Sequence, residues 1–223
     1  MAYAYDYPHP AVTVDVAVFT VSGGRLAVVL IRRNEWPHAG KWAIPGGFVG
    51  IDESLKRAAW RELREETGLK AGNLEQLGAF GRPDRDPRER VITVVYISLV
   101  TFDRLHLEAG SDASDARLFF VDDLPELAFD HSRILGHAVE RLQERLDTEG
   151  VARRLMPASF TLTDLQQACE AVSGAAIDKR NFRKKLKALD VVERTGEVKR
   201  DGPHRPAQLY RVKTNWNDGR ARR

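Results

Sequence analysis

The sequence predicts a mixed α/β (α+β) sandwich followed by a small C-terminal winged helix-turn-helix domain. Two observations support this prediction. Strand and helix patterns alternate up to about residue 150, which is typical of a sheet flanked by helices. Beyond that point the order becomes helix, turn, basic helix and two short strands, which is the plan of a winged helix. We therefore predict two domains, residues 1–150 and 151–223.

The elements of the first domain follow from apolar periodicity and from turn residues. Gly23-Gly24 separates two apolar segments, and adjacent glycines tolerate the positive φ of a tight turn, so they predict a β-hairpin. A loop rich in proline and glycine follows, and Gly68 is expected to end the helix after it. The predicted elements are strands over 12–21, 26–33, 74–80, 91–100 and 116–121, a helix from near Glu53 to about Glu66, and a helix over about Ser132–Leu146.

Capping signals define the second domain. Thr161 and Asp164 are spaced as a helix-capping pair, and Gly174 closes the helix that they open. Asp178 is the expected cap of the basic helix, and two short strands around a turn follow it. We expect the linker between the domains near Thr148–Pro157.

The composition excludes several classes of protein. Of 223 residues, 43% are apolar and 30% charged, which is globular and not fibrous, and the single cysteine rules out a disulfide framework. No uncharged apolar run approaches the roughly 18–20 residues that cross a bilayer, and the N-terminus lacks a secretory pattern. These features predict a soluble cytoplasmic protein without membrane contact. Cys169 falls in the apolar pattern of a helix, so we expect a packed thiol.

The net charge of +3 combines two domains of opposite sign. Residues 1–150 carry 18 basic and 24 acidic residues, a balance of −6, whereas residues 151–223 carry 17 and 8, a balance of +9. A basic excess confined to one domain is typical of a surface that binds phosphates, although a solvated basic face has the same composition.

The strongest functional signal is the segment 47–69, where Glu62, Glu65 and Glu66 stand at i, i+3 and i+4. Carboxylates at that spacing share one helix face about 5–6 Å apart, and they repel one another unless a cation lies between them. Such oxygen ligands suit Mg²⁺ or Mn²⁺ that holds a phosphate-bearing substrate. The alternative is an exposed acidic helix with arginine partners.

Two further residues of this segment have expected roles. Glu53 is placed to add a carboxylate or to orient an attacking water, and Arg61 to brace the carboxylates from the neighbouring turn. Nine positions of the segment keep a fixed spacing: Gly47, Glu53, Arg61, Glu62, Leu63, Glu65, Glu66, Gly68 and Leu69.

These nine positions resemble the signature of the Nudix hydrolase family with no departure. The resemblance implies a Nudix α/β/α fold over roughly residues 10–148 and hydrolysis of a nucleoside diphosphate linked to another moiety. It also implies a divalent metal held by Glu62, Glu65 and Glu66, with Glu53 as a supporting carboxylate. Gly47 is expected to give the site a close approach of the backbone.

Arg85 and Arg88 are the candidates for binding substrate, because a guanidinium suits bidentate contact with a diphosphate or ribose. Their loop and the LAFDH motif at Leu127–His131 resemble segments of ADP-ribose-directed Nudix proteins. The alternatives are a solvated loop with internal Asp–Arg pairs, and a helix cap at Asp130-His131. Three loop carboxylates are equal candidates for a general base: Glu108, Asp112 and Asp115.

The basic helix has the division expected of a recognition helix in the DNA major groove. Phe182, Leu186 and Leu189 recur at helical spacing and should be core, which leaves cations and an asparagine for DNA. A basic helix on a small helical domain, or an RNA-facing surface, is the alternative. The residues expected to contact DNA, including those of the wing, are Lys179, Arg180, Asn181, Arg183, Lys184, Lys187, Arg200 and Arg205.

A Nudix domain joined to a winged helix, with the LAFDH motif and the RPAQLY strand at Arg205–Tyr210, resembles the NrtR family of NAD-metabolism repressors and the related sugar-responsive AraR regulators. The resemblance implies a homodimer that binds a palindromic double-stranded DNA operator and is released by a ligand in the Nudix domain. Many members have a degraded Nudix signature, whereas this one is intact.

Three hypotheses follow. The first is a regulator of NAD-metabolism genes that senses ADP-ribose or a related nucleotide. The second is primarily a Mg²⁺-dependent ADP-ribose pyrophosphatase. The third is a regulator that responds to a free sugar such as arabinose, which leaves the carboxylate helix unexplained.

Overall fold

The computed structural model describes residues 6–69, 73–107, 113–145, 147–200 and 206–213. The chain divides into two compact units. The first consists of residues 1–20, 27–100 and 104–141, and the second of residues 21–26, 101–103 and 142–223.

Within the described residues, seven strands form one mixed sheet. They are β1 (Ala11–Ser22), β2 (Arg25–Arg33), β3 (Trp42–Ala43), β4 (Gly46–Phe48), β5 (Leu74–Phe80), β6 (Val91–Leu99) and β7 (Ala113–Phe120). The central path runs β3-β2-β1-β6-β5, with β4 paired to β1 and β7 paired to β2. Strands β1 and β6 are parallel, and the pairs β1–β4, β2–β3, β2–β7 and β5–β6 are antiparallel.

The predicted hairpin between β1 and β2 is confirmed. Gly23 and Gly24 adopt φ values of 58° and 75°, which a residue with a Cβ rarely takes. The nearly continuous apolar run of β6 is also explained, because the strand lies between β1 and β5 and is buried along most of its length.

Helix α1 (Leu55–Thr67) carries most of the 47–69 segment and packs through an apolar inner face. Ala58, Ala59 and Leu63 have no exposed surface. The helix begins two residues later than expected, because the Ser54 side chain accepts a hydrogen bond from the Arg57 N–H and caps it. Glu53 therefore precedes the helix and is not part of it.

Helix α2 (His131–Arg145) follows β7 and the LAFDH motif. Apolar periodicity predicts its inner face, of which four residues are buried and Val139 is half-buried; the buried ones are Ile134, Leu135, Ala138 and Leu142. Leu146, the expected last residue of this helix, lies outside the described residues.

The second unit contains the predicted order of helix, turn, basic helix and strands. Its elements are α3 (Thr148–Arg154), β8 (Phe160–Thr161), α4 (Leu162–Ser173), α5 (Lys179–Leu189), β9 (Val192–Lys199) and β10 (Ala207–Val212). In its described part, three strands form an antiparallel sheet in the order β8-β10-β9. This is a winged helix fold.

The caps of this unit are those the sequence predicts. Thr161 and Asp164 form a reciprocal capping box at α4, Gly174 ends that helix with φ 69°, and Asp178 caps α5. Cys169 is buried, as expected. The linker expected near Thr148–Pro157 is instead largely helical as α3, because the Asp147 carboxylate accepts from the Gly150 N–H at 2.9 Å and starts a helix there. No described helix is long and apolar enough to cross a bilayer.

Candidate functional site

A polar cavity of about 350 Å³ lies in the first unit, between the sheet, α1 and the loops that precede β6 and α2. Its walls carry both signs of charge, which is the composition expected for a phosphate-bearing ligand and its counter-ions. The lining residues are Thr13, Asp15, Ile31, Arg33, Asn34, Glu35, Ile44, Gly46, Gly47, Phe48, Glu62, Glu66, Arg85, Asp86, Arg88, Phe129 and His131.

Two glycines of β4 bring the backbone against the carboxylates of α1. A Cβ on Gly47 would lie 2.5 Å from the Glu62 carboxylate, so any other residue there would require that carboxylate to move. The Gly46 N–H donates to Glu66 Oε2 at 2.8 Å. The Gly47 backbone therefore lies against Glu62, and its expected role in the site stays a prediction.

Arg61 braces the carboxylates, as the sequence predicted. Its guanidinium donates to Glu53 at 2.6 Å and 3.2 Å, and to Glu62 at 2.6 Å. It also donates to Glu65 at 3.1 Å and to the Phe48 carbonyl at 3.0 Å. The hydrogen bonds from Arg61 lower the pKa of Glu53 to about 2, so this carboxylate is ionised at neutral pH.

The three glutamates predicted to bind metal are not equivalent. Glu62 and Glu66 line the cavity, whereas Glu65 lies outside its lining and its side chain is 48% exposed. Burial raises the pKa of Glu66 to about 8, and it also raises the pKa of Glu62. Within the described ranges, no three acidic, histidine or cysteine side chains gather around one point as metal ligands do.

The donor set nonetheless fits a hard divalent cation. All side chains of the predicted donor set are carboxylates. Because Gly47 has no Cβ, its backbone lies against the Glu62 carboxylate. The side chains are spread because Arg61 bridges Glu62 and Glu65, while Glu66 accepts from the Gly46 N–H. The assignment of Glu62, Glu65, Glu66 and Gly47 to metal binding stays a prediction.

The two candidate substrate arginines differ in availability. The Arg85 side chain is 3% exposed and donates to both oxygens of Asp130, at 2.9 Å and 3.3 Å. It also lies 3.9 Å from the Asp15 carboxylate, so its charge is neutralised inside the unit. Arg88 is paired with Asp86 at 2.7 Å, but its guanidinium lies 5.0 Å from the centre of the Phe48 ring, at the cavity wall.

The LAFDH motif is a structural part of the cavity. His131 Nδ1 accepts a hydrogen bond from the Ile44 N–H at 2.9 Å, and its Nε2 lies 3.6 Å from Asp15. Because Nδ1 is an acceptor, the neutral ring carries its proton on Nε2. Asp130 directly precedes α2, and its carbonyl accepts from the Ile134 N–H at 3.1 Å, while its carboxylate pairs with Arg85; the cap at Asp130-His131 stays a prediction.

Arg33 is a cavity residue that was not predicted from the sequence, and Phe129 was indicated only as part of the LAFDH motif. Arg33 ends β2, and its guanidinium lies 4.9 Å from the centre of the Phe129 ring. Phe129 has a φ of 52°, which is uncommon for a residue with a bulky side chain. For Arg33, the sequence signal was its position at the end of an apolar strand.

The second unit presents a basic helix of the predicted composition. Phe182 and Leu186 are buried on the inner face of α5, and Leu189 is half-buried. Arg200, which follows β9, is exposed. The six polar residues expected on the outer faces of α5 are also exposed: Lys179, Arg180, Asn181, Arg183, Lys184 and Lys187.

Several predicted residues fall elsewhere. Arg205 lies outside the described residues, as do Glu108 and Asp112. Asp115 is described and forms an ion pair with Arg117 on β7, so it remains one candidate base among three.

Two domain families match the chain in the order the structure shows. The NUDIX domain matches residues 9–140, and the NrtR DNA-binding winged helix domain matches residues 152–212. The fold and the cavity thus define a Nudix domain followed by a DNA-binding winged helix domain.

Known proteins with both domains are similar over most of their length. The ADPR-responsive transcriptional repressor of Acinetobacter baylyi is 39% identical over 92% of this chain and 83% of its own. The crystal structure of Shewanella oneidensis NrtR with a 27mer DNA has a TM-score of 0.78 and 32% identity, covering 91% of this chain and 93% of that one. The chain therefore belongs to the NrtR family of Nudix-related regulators.

Two further matches concern the Nudix domain. The Nudix domain of Shewanella oneidensis NrtR, crystallised with ADP ribose, has a TM-score of 0.58 and 34% identity, covering 62% of this chain and 94% of that one. The ADP-ribose pyrophosphatase of Methanocaldococcus jannaschii is 43% identical over 58% of this chain and 73% of its own.

Proposed function

We propose that this protein is a DNA-binding transcriptional repressor whose Nudix domain binds ADP-ribose and thereby releases DNA. The observation that carries the proposal is the presence, in one chain, of a charged Nudix cavity and a winged helix with an exposed basic recognition helix. A relative that is 39% identical over 92% of the chain is an ADPR-responsive repressor, which supports the same ligand here.

We also propose that the protein is a homodimer and that it controls genes of NAD metabolism. A homodimer would present two α5 helices to a palindromic operator, as is usual for helix-turn-helix regulators. Control of genes of NAD metabolism follows from the family. A free sugar is a poorer ligand for this cavity, because it would leave Glu62 and Glu66 without a cation-bound phosphate nearby.

The test is an electrophoretic mobility shift with the DNA upstream of the protein's own gene. We expect a shift that a scrambled DNA of equal length does not compete away, and that ADP-ribose reverses in the presence of Mg²⁺. Arabinose serves as the second ligand. A shift without sequence preference, or one reversed by arabinose and not by ADP-ribose, would overturn the proposal.

A second candidate function is hydrolysis of the same ligand. The intact set of Glu53, Arg61, Glu62, Glu65 and Glu66 favours it, as does 43% identity to an ADP-ribose pyrophosphatase over the Nudix domain. The products would be AMP and ribose 5-phosphate.

In that reaction the residues of the site would have two roles, metal binding and the positioning of carboxylates. A bound Mg²⁺ or Mn²⁺ would polarise a phosphoryl oxygen and lower the pKa of a water. Glu62, Glu65, Glu66 and the Gly47 carbonyl would hold the metal. Arg61 fixes Glu53 and Glu62 by hydrogen bonds, which favour the ionised form of both carboxylates and orient them.

Release of AMP from ADP-ribose in the presence of Mg²⁺ measures this activity. We expect turnover by the wild type and none by Glu65→Gln or Glu66→Gln, both of which should still bind DNA. Turnover that survives both substitutions would show that the metal assignment is wrong. If the wild type binds ADP-ribose but does not hydrolyse it, the second function is wrong and the cavity only senses the ligand.

A further inference from the structure

Arg33 is a cationic residue of the cavity to which the proposed function assigns no role. It lines the cavity at the end of β2 and is half-buried. Its Nε donates to the Pro37 carbonyl at 2.8 Å. Across the described ranges, no carboxylate lies within 4.0 Å of its guanidinium, and its two Nη atoms have no hydrogen-bond acceptor.

The other cavity arginines are neutralised by carboxylates. Arg85 pairs with Asp130 and Arg88 pairs with Asp86, each through two guanidinium nitrogens. Arg33 and Arg88 also share a ring contact, since their guanidinium carbons lie 4.9 Å and 5.9 Å from the centre of Phe129. Burial and the charge of Arg88 lower the pKa of Arg33, while the charges of Glu66, Asp86 and Asp15 raise it. Two cations on one ring in a cavity are stabilised by an anion between or beside them.

The backbone around the Phe129 ring is anchored on both sides. Phe129 adopts a positive φ, and the residues on both sides of it are anchored. The Ala128 N–H donates to the Trp42 carbonyl at 2.8 Å, Asp130 pairs with Arg85, and His131 accepts from Ile44. A costly backbone conformation fixed by several contacts is typical of a ligand site.

We propose that Arg33, with Arg88, binds the phosphate groups of the ligand in the cavity. This inference rests on the proposed function and gives it a specific contact. The ligand class is a diphosphate, because its charge would complement both guanidiniums, and a neutral sugar would leave Arg33 unpaired.

The neighbouring Arg32 provides a matched control. It lies on the same strand, carries the same charge and donates from Nε to the Gly40 carbonyl at 3.0 Å, so it anchors the same loop. It is exposed and does not line the cavity. Arg32→Met and Arg33→Met therefore remove equal charge and a loop-anchoring hydrogen bond, and only Arg33→Met removes a cation from the cavity.

The experiment is calorimetric titration of the full chain with α,β-methylene ADP-ribose, which is not cleaved, at constant Mg²⁺ and at several salt concentrations. We expect Arg33→Met to weaken binding about 10- to 100-fold, the range for the loss of a charge-assisted hydrogen bond. Arg32→Met should stay within about threefold of wild type, and Arg33→Lys should recover part of the loss. The salt dependence of binding should decrease in Arg33→Met alone.

Equal losses in Arg32→Met and Arg33→Met, or no loss in either, would overturn the inference. A wild type that fails to bind the ADP-ribose analogue would instead contradict the proposed function. The same titration with inorganic pyrophosphate then decides the inference alone: binding that weakens in Arg33→Met and not in Arg32→Met supports it, and no binding or equal binding overturns it.

Discussion

At the scale of single residues, burial decides what an ionisable group can do. Glu66 is 9% exposed, and burial makes the folded protein favour its neutral form, although the hydrogen bond from the Gly46 N–H acts in the opposite direction. Its pKa rises from the ordinary 4.5 to about 8. A carboxyl group whose pKa is raised in the folded state stabilises the fold fully below its unfolded-state pKa. This stabilisation is lost as the pH rises through the folded-state pKa.

This gives a prediction for metal-free protein. Between about pH 4.5 and 8, the stability of the wild type should fall relative to Glu66→Gln, and above pH 8 the difference should be constant. The amide oxygen of the substituted side chain can still accept from the Gly46 N–H, so that hydrogen bond is kept. Thermal unfolding of both proteins across this pH range in EDTA measures the effect. A difference that does not change with pH would contradict the burial argument.

Arg85 provides the second prediction at this scale. Arg85→Met leaves Asp130 and Asp15 without their buried cation, which costs about 3–5 kcal/mol for pairs of this kind. Arg82→Met is the control, because Arg82 pairs with Asp84 in the same loop with both side chains at least 60% exposed. It should cost less than about 1 kcal/mol. Urea unfolding of both variants separates the two cases, and equal costs would refute the structural role of Arg85.

At the scale of elements, α5 divides its residues between packing and DNA. Phe182 and Leu186 hold the helix to its unit, while Arg183 and Lys184 are exposed. Removal of one cation that binds a DNA phosphate should lower the salt dependence of log K by about one unit. Arg183→Ala and Lys184→Ala should therefore weaken DNA binding and flatten its salt dependence, as measured by titration of operator DNA at several salt concentrations.

The control for these variants is Arg64→Ala on α1, which removes one exposed cation from the Nudix unit. Its DNA binding should match the wild type at every salt concentration. Unfolding curves that coincide for all three variants would exclude loss of fold. Equal weakening by Arg64→Ala would mean that DNA responds to net charge and not to α5.

The elements also show what a single sequence can and cannot predict. The hairpin at Gly23-Gly24, the caps of α4 and α5 and the central β6 depend on neighbouring residues, and all were predictable. Helix α3 was missed, although Asp147 three residues before Gly150 is an N-cap signal. The role of Arg85 was not predictable, because its partner Asp130 lies 45 residues away.

The same distinction applies to the site. The carboxylates of α1 are close together in the sequence, so their position on one helix was predictable. The cavity itself joins β2, β4, α1 and the loops before β6 and α2, and only the fold brings these together. Arg33 carries no motif, and its place in the cavity wall depends on the position of Phe129, which follows much later in the sequence.

At the scale of the whole molecule, the proposed function requires that a ligand in the Nudix domain changes the affinity of the winged helix for DNA. Such coupling is reciprocal: if ADP-ribose weakens DNA binding by some factor, DNA weakens ADP-ribose binding by the same factor. Calorimetric titration of the non-cleavable analogue into the protein and into its DNA complex should show this reduced affinity. Identical affinities would mean that the two domains act independently.

The most direct test of the central claim is fluorescence anisotropy of labelled upstream DNA, with the wild-type protein bound and α,β-methylene ADP-ribose titrated in at constant Mg²⁺. We expect the anisotropy to fall to the value of free DNA as the cavity fills, and Arg33→Met to need a higher ligand concentration. Anisotropy that stays at the bound value up to saturation of the cavity would contradict the proposed function.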